Sequence, residues 1–210
     1  MRIDPAGWPF VIAGFVVAAL VGAVAGLAWG LVACALPAFF LFFFRDPERL
    51  ITAGVGTVLS PADGTVMVVG APIGDYAGTD WQQVSIFLSP LNVHVNRMPI
   101  GGRVTRVRYH PGRFLPAYRR EAGDLNEYTE VTLDVEGRQV VVRQIVGVLA
   151  RRIVCRVQEG DLVTTGARFG VMKFGSRMDV FLPPTAGLHV RVGERVVGGV
   201  SVIATLGEQP

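Results

Sequence analysis

Lysine occurs only once in this 210-residue chain, at position 173, and histidine only three times, at 94, 110 and 189. With Lys173 the sole lysine, nothing reads as a pyridoxal phosphate site, and no Rossmann-type glycine pattern offers a dinucleotide site. The two cysteines lie apart, Cys34 in an apolar run and Cys155 in a β-type run. Neither a disulfide framework nor a thiolate metal site follows. The histidines lack the paired i, i+4 spacing of zinc ligands on a helix, so no metal is expected. A net charge of +3 is too small a surplus to argue for nucleic acid, and aromatic and basic residues do not interleave.

Charge itself is missing from one long stretch. From Trp8 to Phe44 there is no Asp, Glu, Lys, Arg or His. As one straight helix this run would measure about 55 Å, against a hydrocarbon core of about 30 Å. Two segments are therefore expected, roughly 8–27 and 31–44, broken near Gly26, Gly30 or Pro37. The run is longer than the apolar region of a cleaved signal, and acidic Asp4 lies beside it, so a retained anchor is the preferred reading. Arg45 and Arg49 flank it on the side expected to face the cytoplasm, and the surface arginines suit an anionic lipid surface.

Past residue 50 the chain reads as short Val- and Ile-rich strands separated by Gly and Pro. Candidate strands are 55–59, 64–70, 82–89, 103–109, 128–135, 139–148, 151–157, 168–173, 178–182, 188–191 and 196–204. Only the loop around Pro116–Gly123 hints at a helical period. An internal repeat supports an all-β reading. Val157-x-x-Gly160-Asp161-x-Val163-x-x-Gly166 returns 33 residues later as Val190-x-x-Gly193-Glu194-x-Val196-x-x-Gly199. The pattern is similar to that of lipoyl- and biotinyl-type barrel-sandwich domains. The fold class is thus mainly β: a compact all-β domain over 45–210 with a barrel-sandwich-like repeat, behind an apolar helical hairpin over 1–44.

Four stretches carry the chemistry: Phe44-Arg-Asp-Pro-Glu-Arg49, Ser60-Pro-Ala-Asp-Gly64, Ser89-Pro-Leu-Asn-Val-His-Val-Asn-Arg-Met-Pro99 and Val171-Met-Lys-Phe-Gly-Ser-Arg-Met-Asp-Val-Phe-Leu-Pro183. Singly each is ordinary, since Gly-Ser and Asp-Gly are common turns and a lone histidine in a β-run is more often structural. In this order, behind an apolar N-terminus, they closely resemble the short bacterial form of phosphatidylserine decarboxylase. The resemblance covers about Phe43 to Ala204.

It implies an enzyme that converts phosphatidylserine to phosphatidylethanolamine and makes its own cofactor. The proenzyme would cut itself between Gly175 and Ser176, giving a β chain of 1–175 and an α chain of 176–210 that stay associated. Ser176 would become an N-terminal pyruvoyl group, the pyruvate-type cofactor that takes the substrate amine as a Schiff base and serves as electron sink. His94 falls where the family's larger members carry a catalytic histidine, and its ordinary pKa suits proton transfer at neutral pH. A second histidine of those enzymes, three residues on, is Arg97 here. Asp63 matches an aspartate expected to orient the imidazole. His110 and Arg113 are candidates for lining the site or holding the phosphate. The implied setting is the cytoplasmic face of the cell membrane, with a phospholipid substrate and scope for a homo-oligomer.

Two other readings stay open at this stage. Decarboxylation of another serine lipid, of the archaetidylserine type, needs the same amine and carboxylate. A membrane-anchored carrier module would use Lys173, in Val171-Met-Lys-Phe174, as a biotin- or lipoyl-type acceptor, but leaves the Asp63 and His94 stretches without a role.

Overall fold

The computed structural model describes residues 2–76, 78–148, 153–173 and 175–207, and the chain divides into two compact units, 1–48 and 49–210.

In the first unit, Trp8–Ala25 forms α1, Leu27–Ala33 forms α2 and Ala35–Phe43 forms α3. The break falls at Gly26, whose φ of 97° ends α1, so the sequence reading had the right residue among its three candidates. Pro37 does not break its helix. It sits in the first turn of α3, where no intrahelical N–H bond is lost. The chain then returns along α1: Gly30 lies against Gly22, and Gly14 against Pro37. Strands β1 (Arg2–Ile3) and β2 (Arg45–Asp46) pair antiparallel and close this hairpin at its base. Residues such as Ile12, Leu20 and Val24 remain exposed on α1. Helices apolar all round need a surrounding apolar phase, and Pro5–Ala25 is long and apolar enough to cross a membrane.

Among the described residues the second unit has fourteen strands. They are β3 (Thr57–Leu59), β4 (Gly64–Gly70), β5 (Gln82–Leu88), β6 (Val95–Arg97), β7 (Gly102–His110), β8 (Tyr128–Val135), β9 (Arg138–Ile145), β10 (Ile153–Cys155), β11 (Leu162–Val163), β12 (Arg168–Met172), β13 (Ser176–Leu182), β14 (Gly187–Leu188), β15 (Arg195–Val196) and β16 (Val202–Thr205). A one-turn helix, α4 (Ala122–Leu125), follows the loop in which a helical period was suspected. An eight-stranded antiparallel sheet runs in the order β11-β7-β8-β9-β13-β5-β4-β15. Two three-stranded sheets, β10-β12-β6 and β14-β16-β3, complete the unit. The core draws Val84, Ile86, Val131, Leu133, Val140, Val142, Met178 and Val180 from the large sheet. Val58, Phe169, Met172 and Ile203 come from the small ones.

The repeat seen in the sequence is a structural one. Its two copies place β11 and β15 at opposite ends of the large sheet. Gly160 N donates to Val104 O and Gly193 N to Val66 O; Gly166 N donates to Met98 O and Gly199 N to Ser60 O. All four glycines have positive φ, which is why this spacing calls for glycine. β7 and β4, the partners of those edge strands, each carry a bulge.

Several strand boundaries differ from expectation. The strand read as 196–204 is interrupted by a turn at 197–201, where Ser201 Oγ accepts from Val197 N. Of 151–157 only Ile153–Cys155 pairs, with residues 151 and 152 outside the described residues. β6 and β11 were not anticipated. β6 carries Asn96 and Arg97, whose polarity disguises a fully buried strand.

Candidate active site

Ser176 opens β13, which lies between β9 and β5 in the middle of the large sheet. Its register is fixed on both sides: Ser176 faces Leu88, and Arg177 faces Ile145 and Phe87. The serine is fully buried, and its hydroxyl has no protein hydrogen-bond partner among the described residues. A buried hydroxyl without a partner costs stability, so its retention points to chemistry rather than packing. Gly175 before it has φ of 72°, while a Cβ there would meet nothing within 4 Å. The glycine answers to conformation, not to space. Phe174 lies outside the described residues.

Gly147, just after β9, answers to space. A Cβ at this position would overlap the carbonyl oxygen of Gly175. The backbone of residue 147 therefore backs the carbonyl of the Gly175–Ser176 bond. Gly147→Ala is expected to displace that carbonyl and slow any cleavage at this bond by about 10²-fold, the typical penalty for a misplacement of about 1 Å. Timed SDS gels of the purified chain check this.

His94 is brought to the same end of the domain. Leu88, paired with Ser176, leads into the loop 89–94, and the carbonyl of His94 accepts from Met172 N at the end of β12. The loop is self-fastened, since Asn92 Oδ1 accepts from Ser89 N at 2.8 Å and Asn92 N donates to Ser89 O. The imidazole is fully buried, with Nδ1 3.0 Å from Asn92 O. A carbonyl oxygen only accepts, so this contact places the proton on Nδ1 and the lone pair on Nε2.

Asp63 has partners other than those expected. Its Oδ2 accepts from Arg49 Nη2 at 2.9 Å and its Oδ1 from Gly198 N at 2.8 Å. The position at His94 Nδ1 foreseen for this carboxylate is filled by the Asn92 carbonyl. Asp63 instead ties residue 49 and the turn 197–201 to the Ser60–Asp63 turn, where Ser60 Oγ donates to Ala62 O. Arg97 is buried. Its Nη1 donates to Gly166 O at 3.1 Å, and Gly199 packs on its side chain.

His110 stands away from the serine side chain. A single transverse row of the large sheet runs His110, Tyr128, Ile145, Arg177, Phe87. Residues in one such row share a face, and neighbours along the chain point to opposite faces. His110 thus lies on the face opposite the Ser176 side chain and three strands from Arg177, about 14 Å at the usual strand spacing. There it stacks on Tyr128, ring centroids 4.3 Å apart. Burial pushes the Tyr128 phenol up to about 12, so this pair holds no base at neutral pH on the tyrosine side. Arg113 is exposed, its backbone bonded to Leu125 and Glu127.

Two residues at the site were not foreseen. Gln144 and Asn96 are fully buried, and Gln144 Nε2 donates to Asn96 Oδ1 at 2.8 Å. Gln144 faces Met178, so it shares the core side with Ser176, one diagonal step away and within reach of a long side chain. Among the described residues Asn96 Nδ2 and Gln144 Oε1, like Ser176 Oγ, have no hydrogen-bond partner. The signal was present: Gln144 interrupts the apolar alternation Val140, Val142 of β9.

On the opposite face Arg177 is fully buried and bidentate to Asp179, with Nε to Oδ1 at 2.6 Å and Nη2 to Oδ2 at 2.8 Å. Ser85 Oγ and Gln83 Nε2 complete the network. Asp179→Ala would strand the guanidinium in the sheet and is expected to cost about 3–5 kcal/mol. Urea unfolding of the full chain measures this, and replacing both partners by apolar residues should restore much of the loss.

A buried serine thus follows a left-handed glycine, with a buried histidine at the same end of the domain. The profile of the family described as phosphatidylserine decarboxylase matches residues 36–204. The chain belongs to this family, and is accordingly a decarboxylase. Similar proteins include three named phosphatidylserine decarboxylase proenzyme. That of Pelodictyon phaeoclathratiforme is 45% identical over 166 residues, 79% of this chain and 78% of its own length. The one from Cupriavidus pinatubonensis is 40% identical over 204 residues, 96% and 94%. The third, from Ehrlichia chaffeensis, is 37% identical over 214 residues, 100% and 93%.

Proposed function

We propose that this chain decarboxylates phosphatidylserine to phosphatidylethanolamine with a pyruvoyl group that it makes from Ser176. The observation that carries the reading is the Gly175–Ser176 bond within the family match: a left-handed glycine whose carbonyl is backed by Gly147, followed by a buried, unpartnered hydroxyl. Ser176 Oγ attacks the Gly175 carbonyl carbon, the peptide C–N bond breaks, and an ester joins the two residues. Loss of the Ser176 α-proton expels Gly175 as a carboxylate and leaves a dehydroalanine. Water then adds and ammonia leaves, giving the pyruvoyl carbonyl. The residues fit this group: on the Ser176 side of the sheet Gln144 lies one diagonal step away, and among the described residues Gln144 Oε1 and Asn96 Nδ2 have no hydrogen-bond partner. Once formed at residue 176, such a carbonyl would supply the electron sink that decarboxylation of an amino acid requires.

His94 serves as base for the processing step through Nε2, and the same atom returns a proton to the substrate carbon after carbon dioxide departs. Asp63 supports this end of the domain through Arg49 and Gly198 rather than through the ring. The apolar hairpin of the first unit holds the enzyme at the cytoplasmic face of the cell membrane, where its lipid substrate resides. Intact-mass spectrometry of the purified protein tests the reading. Two chains are expected, the lighter comprising residues 176–210 with a blocked N-terminus and a mass lower by the lost nitrogen. An active preparation containing only the 22.6 kDa chain would overturn it.

A further inference from the structure

Asn96 lies on β6 and Gln144 on β9, so the hydrogen bond from Gln144 Nε2 to Asn96 Oδ1, 2.8 Å long, joins a small sheet to the large one. Room for the Gln144 side chain is kept by Gly170, which pairs with Asn96. A Cβ at Gly170 would overlap Gln144 Nε2 and the Val154 carbonyl. Nε2 also donates to Val154 O at 3.4 Å. A carbonyl only accepts, so these contacts assign nitrogen and oxygen in both amides. One donor, Asn96 Nδ2, and one acceptor, Gln144 Oε1, then have no hydrogen-bond partner among the described residues, although both side chains are fully buried. Buried polar atoms are normally paired. A leftover donor and a leftover acceptor, each in an amide that shares the same bond, complement a water molecule, which accepts one hydrogen bond and donates another.

We propose that Asn96 and Gln144 hold the water molecule that converts residue 176 to its carbonyl form, Asn96 Nδ2 donating to the water oxygen and Gln144 Oε1 accepting from it. The proposal rests on the pyruvoyl reading above and adds to it the positioning residues for the last step of maturation. Two considerations single out that step. Ser176 is fully buried and lies one diagonal step from Gln144 on the same side of the sheet, so solvent does not reach it in the folded chain. The chemistry also makes the space. When the ester is eliminated, the Cβ–Oγ bond breaks and Ser176 Oγ leaves as part of the Gly175 carboxylate. An opening the size of one oxygen atom results on the Gln144 side of the sheet, and a single water needs little more. The dehydroalanine shifts a proton from nitrogen to its methylene carbon and becomes an imine. The held water adds through its oxygen to the imine carbon, and the C–N bond breaks as ammonia departs. One water enters and one ammonia leaves, with no oxidant or reductant. The earlier steps consume no water, so the cut itself does not need the pair.

The test uses the full chain carrying Asn96→Leu and Gln144→Met together. Replacing both partners of a buried hydrogen bond by apolar groups of similar shape is nearly neutral for folding, which a thermal melt checks. The double variant should cut at the wild-type rate, and its α chain should keep nitrogen in place of oxygen at residue 176, the exchange being slower by about 10²-fold. Borohydride reads the difference. It reduces an imine at residue 176 to alanine, which Edman sequencing detects, and a carbonyl to a lactyl group, which stays blocked. Unfolding the cut variant in urea should then bring its α chain to the oxygen form, since bulk water reaches residue 176. Gln144→Glu is the rescue. Burial keeps its carboxyl protonated, so it donates to Asn96 Oδ1 and still presents an acceptor, and its α chain should carry oxygen. A folded double variant whose α chain gains oxygen as fast as the wild type overturns the proposal, and so does one that folds and fails to cut. Should the double variant not fold, Asn96→Leu alone decides by the same readings, because Gln144 Nε2 keeps Val154 O. A wild-type α chain that begins with unmodified serine would sink the pyruvoyl reading and this proposal with it, a result read from the wild type alone.

Discussion

Ser176→Ala is expected to yield a single uncut chain with no measurable decarboxylation. The alanine removes the only atom that can attack the Gly175 carbonyl from within the bond, and with it the source of the pyruvoyl group. Because the lost hydroxyl is buried and has no protein partner, its removal leaves no orphaned donor or acceptor behind. Stability should therefore hold or rise slightly, which separates this variant from one that fails to fold. Denaturing gels and a thermal melt of the same sample check both halves. Cleavage in the alanine variant would move the processing site elsewhere, and a large fall in melting temperature would mean that the serine is structural.

Much of the fold was legible because the strands follow simple rules. Glu130–Val135 alternates half-buried and buried residues, as its sequence alternates polar side chains with valine and leucine. The 33-residue repeat was readable from glycine spacing alone, because each of its glycines sits at positive φ where other residues are strained. The Gly175–Ser176 bond and His94 stood out in sequence through their neighbours, and the structure brings both to one end of the domain. What escaped notice was whatever depends on meeting across the fold. Asn96 and Gln144 are 48 residues apart and join only where a small sheet crosses the large one. Asp63 was assigned to His94 because both stood in recognisable stretches, yet its partners are Arg49 and a backbone amide 135 residues away. His110 failed for a related reason. A histidine beside proline and arginine looks like a ligand site, but strand parity turns it to the far face of the sheet.

His94→Ala should slow both self-cleavage and turnover, each by about 10²–10⁴-fold, the usual range for one positioned general acid or base. The effect depends on the tautomer. Asn92 O can only accept, so Nδ1 keeps its proton and Nε2 is the atom able to take one from the Ser176 hydroxyl. His94→Gln is the sharper variant, since its amide can keep a hydrogen bond to Asn92 O without supplying a base near neutral pH. It should preserve folding and still process slowly. Processing in His94→Gln at the wild-type rate would show that another group is the base. The Asn92 contact would then be only a means of holding a buried ring.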